Sequence, residues 1–504
     1  MQKSRRDFIS ALGQSALVAH TWPWLNVGKL ARLGIGASAF SACGEADQAD
    51  LEFVANLGLE PSELMPFLGG IQEKDWWLKG NYAPITEEID VEDLEVIGQL
   101  PPELNGTLLR NGSNPKHEDP LFWFFGDGMI HGIHFEKGKA KRYHNRWANT
   151  PASRDEAHGL GAHRANTSLV YHHQKLLALY EVSPPFELSP NTLESMDFYD
   201  FGGALESPMC AHPKIDPITG ELWFIGVQQV PAQLTVSMVD AEGTLQKQES
   251  MPLSGMYFMH DFQLTENYVV LFEFPLMINL DILSGGDPFK WSPELGARIG
   301  LMPRTGSLSE TQWFDVEPGA TFHSFNAYEE GDEVVIESCR ILPKEGDDFF
   351  TRGDLPQAWQ WRINLMNQQV QEAQIHELPC EFPMIDRRLQ GQKHRFNYGL
   401  MLSPASPDYP MHPKGIYKHD RELGQVDHWS LGEAVQPDEA LFIPASPNAG
   451  EDEGWLISVV YNRQSAKSEV LVFNAQKLAK GPIARVLLPT RVPFGFHGLW
   501  LNRA

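Results

Sequence analysis

The sequence predicts an all-β protein, on three grounds. Short runs rich in β-branched and aromatic residues recur along the chain: 221–227 (ELWFIGV), 268–274 (YVVLFEF), 333–339 (EVVIESC), 455–462 and 469–473. Each is bounded by Gly, Pro, Asn or Asp, as strands between turns are. No sustained helical periodicity follows the N-terminal segment, and the 43 Gly and 36 Pro are spread over the whole length, which suits many turns. At 504 residues the chain exceeds the roughly 250–300 residues at which one ordinary core stops growing. It is therefore two domains or one large closed β architecture. Evenly spaced strands without intervening helices favour a propeller over a sandwich. No blade signature repeats, so pattern alone gives no blade count.

Taken in order, residues 1–43 read as a targeting segment rather than as structure. Ser4-Arg5-Arg6-Asp7-Phe8-Ile9 resembles the twin-arginine export motif, and a mostly apolar stretch follows. Twin-arginine substrates cross the membrane already folded, commonly with a cofactor or metal installed. The segment ends in Phe40-Ser41-Ala42-Cys43-Gly44, which resembles a lipoprotein cleavage box with Phe40 in place of the usual Leu. The expectation is an exported, periplasmic or otherwise extracytoplasmic protein that engages the twin-arginine machinery, with Cys43 a candidate lipid anchor. No later apolar run reaches the ~18–20 residues of a membrane-spanning helix. Residues 44–80 form a mixed, partly acidic lead-in, and the strand pattern runs from 81 to 504.

Composition narrows the function. Hydrophobic content of 42%, with 14 Trp and 28 Phe, is ample for a real core, and the net charge is −26. Such a surface argues against nucleic acid, which requires a basic face. It also argues against purely electrostatic attachment to anionic lipid, while leaving room for an apolar patch that touches a membrane surface. Cys43, Cys210, Cys339 and Cys380 have no metal-type spacing, and the last three read as small buried hydrophobes.

The chemistry lies with dispersed histidines. His497 sits in 491–500 (RVPFGFHGLW), between Gly495 and Gly498, where backbone can approach closely on either side of the ring. His212 lies in 209–214 (MCAHPK), His260 in 259–262 (MHDF) and His323 in 321–329 (TFHSFNAYE). Each is tens of residues from the next, unlike zinc fingers or HExxH sites, whose ligands come from one local turn or helix. Ligands so dispersed converge only where a fold brings strand starts to a common axis, as a propeller does.

Further motifs give the chain a family likeness. They are 104–115 (LNGTLLRNGSNP), 126–132 (GDGMIHG), Ala165-Asn166-Thr167, 176–181 (LLALYE) and the four histidine contexts. From about Asn81 to Asn502 the sequence resembles the carotenoid cleavage oxygenases, a family that includes carotenoid and apocarotenoid oxygenases, stilbene-cleaving dioxygenases and a retinoid isomerase. Ser113 and Phe125 depart from the family's usual Pro and Asp, and neither is a ligand position. The resemblance implies a seven-bladed propeller with one non-haem Fe(II) on its axis, held by His212, His260, His323 and His497. It also implies that Glu181, Glu381 and Glu439 accept the free ring N–H of three ligands, although Ala440 replaces the Pro usual after the last. Carboxylates so placed fix ring tautomers and offset the metal's charge. His131 and the pair His172–His173 are left out of the ligand set.

The implied reaction is oxidative cleavage of a carbon–carbon double bond by O₂ into two carbonyl products, with an apolar alkene positioned in a tunnel. Stilbene-cleaving relatives hold their substrate's phenol through a Lys and a Tyr. The aligned positions here are Tyr180 and Trp147, an aromatic pair better suited to a polyene. The expected substrate is therefore a carotenoid or apocarotenoid. The alternatives are a stilbene or phenylpropanoid, an isomerase of the same family and a non-catalytic propeller that binds ligands. A calcium-dependent propeller hydrolase would need oxygen ligands where this chain has His.

Overall fold

The computed structural model describes residues 76–502, except 118–119, 158, 160, 285, 343–354, 404–411 and 433. The twin-arginine motif, Cys43 and nearly all of the 44–80 lead-in lie outside the described residues. Within them the all-β expectation holds: every helix is a short 3-10 segment, the longest being Ala475–Lys480. None is long and apolar enough to cross a membrane.

The strands form consecutive antiparallel sheets. Residues 168–198 and 214–252 each make a four-stranded meander. Residues 262–316 make another, with a two-stranded ribbon (Leu276–Ile278 and Phe289–Trp291) between its second and third strands. Residues 320–430 form a seven-stranded sheet in sequential order. Its middle strand, Val370–Met384, pairs mainly through its first residues with Gln357–Asn364 and through its last with Phe396–Ser403. One long strand thus joins two four-stranded meanders.

The ends of the chain interlock. The final strand, Gly498–Asn502, pairs with Gly106–Ser113 in the first large sheet, while Val96–Gly98 pairs with Pro482–Leu487 in the last. Each terminal sheet therefore takes one strand from the opposite end of the chain, which closes the series.

Burial falls toward the last strand of a sheet. In the 214–252 sheet, Leu222–Gln229 begins with six buried residues, whereas no residue of Leu245–Pro252 is fully buried. Inner strands covered on both faces read as continuous apolar runs, and outer strands read as polar. The histidine-bearing segments lie at the edge opposite these polar outer strands. His212 precedes Lys214–Ile215, His260 precedes Phe262–Leu264, His323 lies within Ala320–Glu330, and His497 precedes Gly498–Asn502.

Candidate metal centre

These four segments bring the imidazoles of His212, His260, His323 and His497 together, one ligand-type nitrogen from each lying within 4.8 Å of the others. The Nε2 atoms of His212 and His260 are 2.9 Å apart, and those of His260 and His323 3.2 Å. Local backbone irregularity aims several of these groups. His323 falls at a register shift between Thr321 and Ser324, Glu381 at one before Met384, and Glu439 at one between Pro437 and Ala440. A bulge adds a residue to one strand and so re-aims a side chain. Phe382, just after Glu381, has φ of 52°, in the left-handed region. The glycine before His497 has a packing reason: a Cβ at Gly495 would lie 2.6 Å from the carbonyl oxygen of Asn111.

The three glutamates face the other ring nitrogens. His323 Nδ1 lies 2.7 Å from Glu381 Oε2, and His497 Nδ1 3.0 Å from Glu439 Oε1. Glu181 Oε1 lies 2.6 Å from His260 Nδ1, within ion-pair distance but not aligned as a hydrogen bond. Glu439 is the most heavily anchored, because its Oε2 accepts the Gly498 N–H at 2.6 Å and Arg110 Nη1 at 3.2 Å. Arg110 also pairs with Asp438.

Electrostatics follow from burial and these pairings. Burial drives His212 well below the ordinary imidazole range, and the neighbouring rings push the same way. His497 is lowered to about 4, mainly by burial, with Glu439 opposing. At His323 burial acts against the proton, but the charge and hydrogen bond of Glu381 outweigh it and raise the pKa. Burial would raise Glu439, yet His497 and Arg110 hold it at about 2, firmly ionised.

The donor set fits a metal cation. An imidazole that donates its Nδ1 proton to a carboxylate carries a lone pair at Nε2. Nε2 atoms only 2.9–3.2 Å apart either share a proton or turn their lone pairs on one cation, and a cation is what four converging imidazoles provide for. Neutral imidazoles suit iron among other transition metals.

Two cavities reach this cluster. One, about 410 Å³, is walled by Phe258, Phe289, Phe322 and Trp123 and reaches His260, His323 and His497. The other, about 390 Å³, is lined by Lys214, Asp261, Gln263 and Arg387 and reaches His212, His323 and His497. Tyr180 lies in the apolar wall, as expected for a pocket residue. Trp147 does not line it: its indole donates to the Asn114 carbonyl and lies beneath the Lys116 ammonium, 5.3 Å from the ring centroid. The aromatic pair inferred from sequence is thus reduced to Tyr180. Phe258, whose ring stacks on His260 with centroids 5.1 Å apart, had no distinguishing sequence signal beyond its position two residues before a ligand candidate. Lys214, Asp261 and Ser324 likewise flank histidines without any motif of their own.

Comparison with known proteins agrees with this geometry. The family described as "Retinal pigment epithelial membrane protein" matches residues 82–502. The chain is 31% identical over 475 residues to isoeugenol monooxygenase of Pseudomonas nitroreducens, covering 86% of this chain and 99% of that one. It is 31% identical over 495 residues to carotenoid 9,10(9',10')-cleavage dioxygenase 1 of Pisum sativum, covering 84% and 90%. Among solved structures it superposes on Pseudomonas brassicacearum lignostilbene dioxygenase with a TM-score of 0.78 at 26% identity, covering 86% and 100%. Cobalt-substituted Synechocystis ACO gives a TM-score of 0.75 at 27% identity, covering 86% and 99%. With the family match spanning almost all described residues and named oxygenases aligned over most of their lengths, this chain belongs to the carotenoid cleavage oxygenase family and is an oxygenase.

Proposed function

We propose that this protein is a non-haem Fe(II) dioxygenase that cleaves a carbon–carbon double bond of a carotenoid or apocarotenoid. The carrying observation is the junction of a carboxylate-braced imidazole cluster with a large apolar cavity. The ligands are His212, His260, His323 and His497, and Glu181, Glu381 and Glu439 orient three of them. The fold is read as a seven-bladed propeller with this centre on its axis. The meanders, with the seven-stranded sheet counted as two, support that blade count.

Bound Fe(II) supplies the activation of O₂, both atoms of which end in the two carbonyl products. The protein contributes position and environment. Glu381 and Glu439 hold the His323 and His497 rings through Nδ1, fixing the direction of each Nε2. The rings of Phe258, Phe289 and Phe322 exclude water and align the alkene beside the cluster, which selects the bond cut. Tyr180, whose phenol is pushed above its usual range mainly by burial, stays neutral in that wall. Val182 and Leu280 line the cavity yet are 43% and 41% exposed, which supports delivery of an apolar substrate from a membrane surface. The N-terminal segment supports export of the folded protein through the twin-arginine route, with Cys43 as a lipid anchor.

A second reading, cleavage of a stilbene or phenylpropanoid, is favoured by the similarity to isoeugenol monooxygenase and to a lignostilbene dioxygenase. The test is anaerobic loading with Fe(II), then incubation under O₂ with β-apo-8′-carotenal, 4-hydroxystilbene or isoeugenol, with His260→Ala as control. Mass spectrometry should show new aldehydes from the polyene. Aldehyde from the stilbene or isoeugenol alone would transfer the assignment to the second reading. No product from fully loaded protein would contradict alkene cleavage.

A further inference from the structure

The apolar cavity contains a buried amide that the cleavage chemistry does not use. Gln229, the last residue of the strand Leu222–Gln229, lines the wall beside the half-exposed Val230. Its Oε1 is buried and without a hydrogen-bond partner among the described residues. Its Nε2 makes only a long contact, 3.4 Å to the Tyr257 carbonyl. Other polar groups of the wall turn to neighbouring side chains. Thr167 Oγ1 donates to Asn166 Oδ1 at 2.8 Å, and Glu181 and Glu381 face the histidines. The indole N–H of Trp123 is also unpartnered, but it lies among the rings of Tyr82, Phe494 and Phe496, whose faces accept such a donor weakly. A buried amide oxygen has no comparable substitute, and leaving it unsatisfied carries its full desolvation cost.

We propose that Gln229 is a specificity-determining residue that receives a hydroxyl group on the alkene substrate. This rests on the reading of the cavity as the alkene site. A hydroxyl both donates and accepts, so it satisfies the carboxamide whichever end faces the ligand. The terminal torsion of glutamine is broad, so the amide can turn to meet it. Position fits a remote end group. Ile225 of the same strand accepts from Cys210 N, two residues before His212. Gln229 lies four residues further along, about 13 Å at the rise of a strand. The hydroxyl therefore sits well away from the bond that is cut, at the end of an elongated molecule.

The test measures binding rather than turnover. Quenching of intrinsic tryptophan fluorescence in the metal-loaded protein is titrated with two matched pairs: 3-hydroxy-β-apo-8′-carotenal against β-apo-8′-carotenal, and 4-hydroxystilbene against stilbene. Wild type should bind the hydroxylated member of at least one pair about tenfold more tightly, the effect of one hydrogen bond of about 1.4 kcal/mol. Which pair discriminates identifies the source of the hydroxyl. Gln229→Leu should erase the preference and leave affinity for the unhydroxylated member unchanged. Gln229→Glu, which keeps an acceptor, should retain it. Equal affinity within both pairs in wild type, or a preference that survives Gln229→Leu, would overturn the proposal. If no member of either pair binds, the alkene reading of the cavity fails, and this inference with it.

Discussion

On one side of the four imidazoles the wall is made of rings. Phe258 packs against Phe289 and Phe322 with centroids 4.4 and 5.2 Å apart, and little but surface shape constrains what lies there. On the other side the wall is a polar brace. Lys214 Nζ lies 2.6 Å from Asp261 Oδ1, and Asp261 Oδ2 accepts from Ser324 N at 2.9 Å and Ser324 Oγ at 2.6 Å. These residues stand next to, or two residues from, His212, His260 and His323, so the brace ties three histidine-bearing segments together. Burial opposes ionisation of Asp261, but Lys214 and Ser324 outweigh it and keep its pKa low. The difference separates two tasks. The polar face ties the histidine segments together, and the apolar face is the one the proposed function gives to the substrate.

The largest expected effect comes from the cluster shared by both faces: His323→Ala should reduce oxygenase activity to background, measured as aldehyde formed per chain. Glu381→Gln should come next, weakening metal binding by about 10–100-fold. Glu181→Gln should cost less, because its carboxylate is 24% exposed and poorly aligned with His260. Competition with a chelator orders the two, and equal losses would mean that alignment does not matter. The faces themselves are separated by a pair of substitutions. Lys214→Met removes the cation paired with buried Asp261, so it should destabilise the fold by about 3 kcal/mol in denaturant titration. Its KM for alkene should stay unchanged. Phe258→Ala should do the reverse, raising KM with a smaller change in stability. Matching effects from both would dissolve the division of labour.

Much of the site was legible because its parts carry local signatures. The four histidine contexts and the three glutamates read from sequence are the groups the fold assembles, and the apolar runs 221–227 and 333–339 fall in strands. What escaped depends on contacts between distant segments. Nothing in 96–98 or 498–502 announces that each joins a sheet at the opposite end of the chain. Lys214, Asp261 and Ser324 look like ordinary turn residues until the fold closes them into one network. Trp147 was misplaced for a related reason: it ends a strand whose neighbours direct its indole to Asn114 instead of the cavity.

A further expected effect is general and lies away from the metal centre. His131 and His144 are lowered to about 3 and His163 to about 4, with burial the largest cause in each. Unfolded, such rings take a proton near pH 6.5. Between about pH 6.5 and 3 the unfolded chain therefore binds more protons, and stability falls as pH drops through that window. Thermal unfolding should show Tm declining from pH 6.5 to 5; a flat Tm there would mean that these rings titrate normally in the folded protein.

The most direct test of the four-imidazole centre is elemental analysis after anaerobic Fe(II) loading and desalting. Wild type and the exposed-surface control His428→Ala should each retain one iron per chain. His212→Ala, His260→Ala, His323→Ala and His497→Ala, checked as folded by circular dichroism, should each lose most of it. Full iron retention in the four variants, or none in wild type, would contradict the assignment.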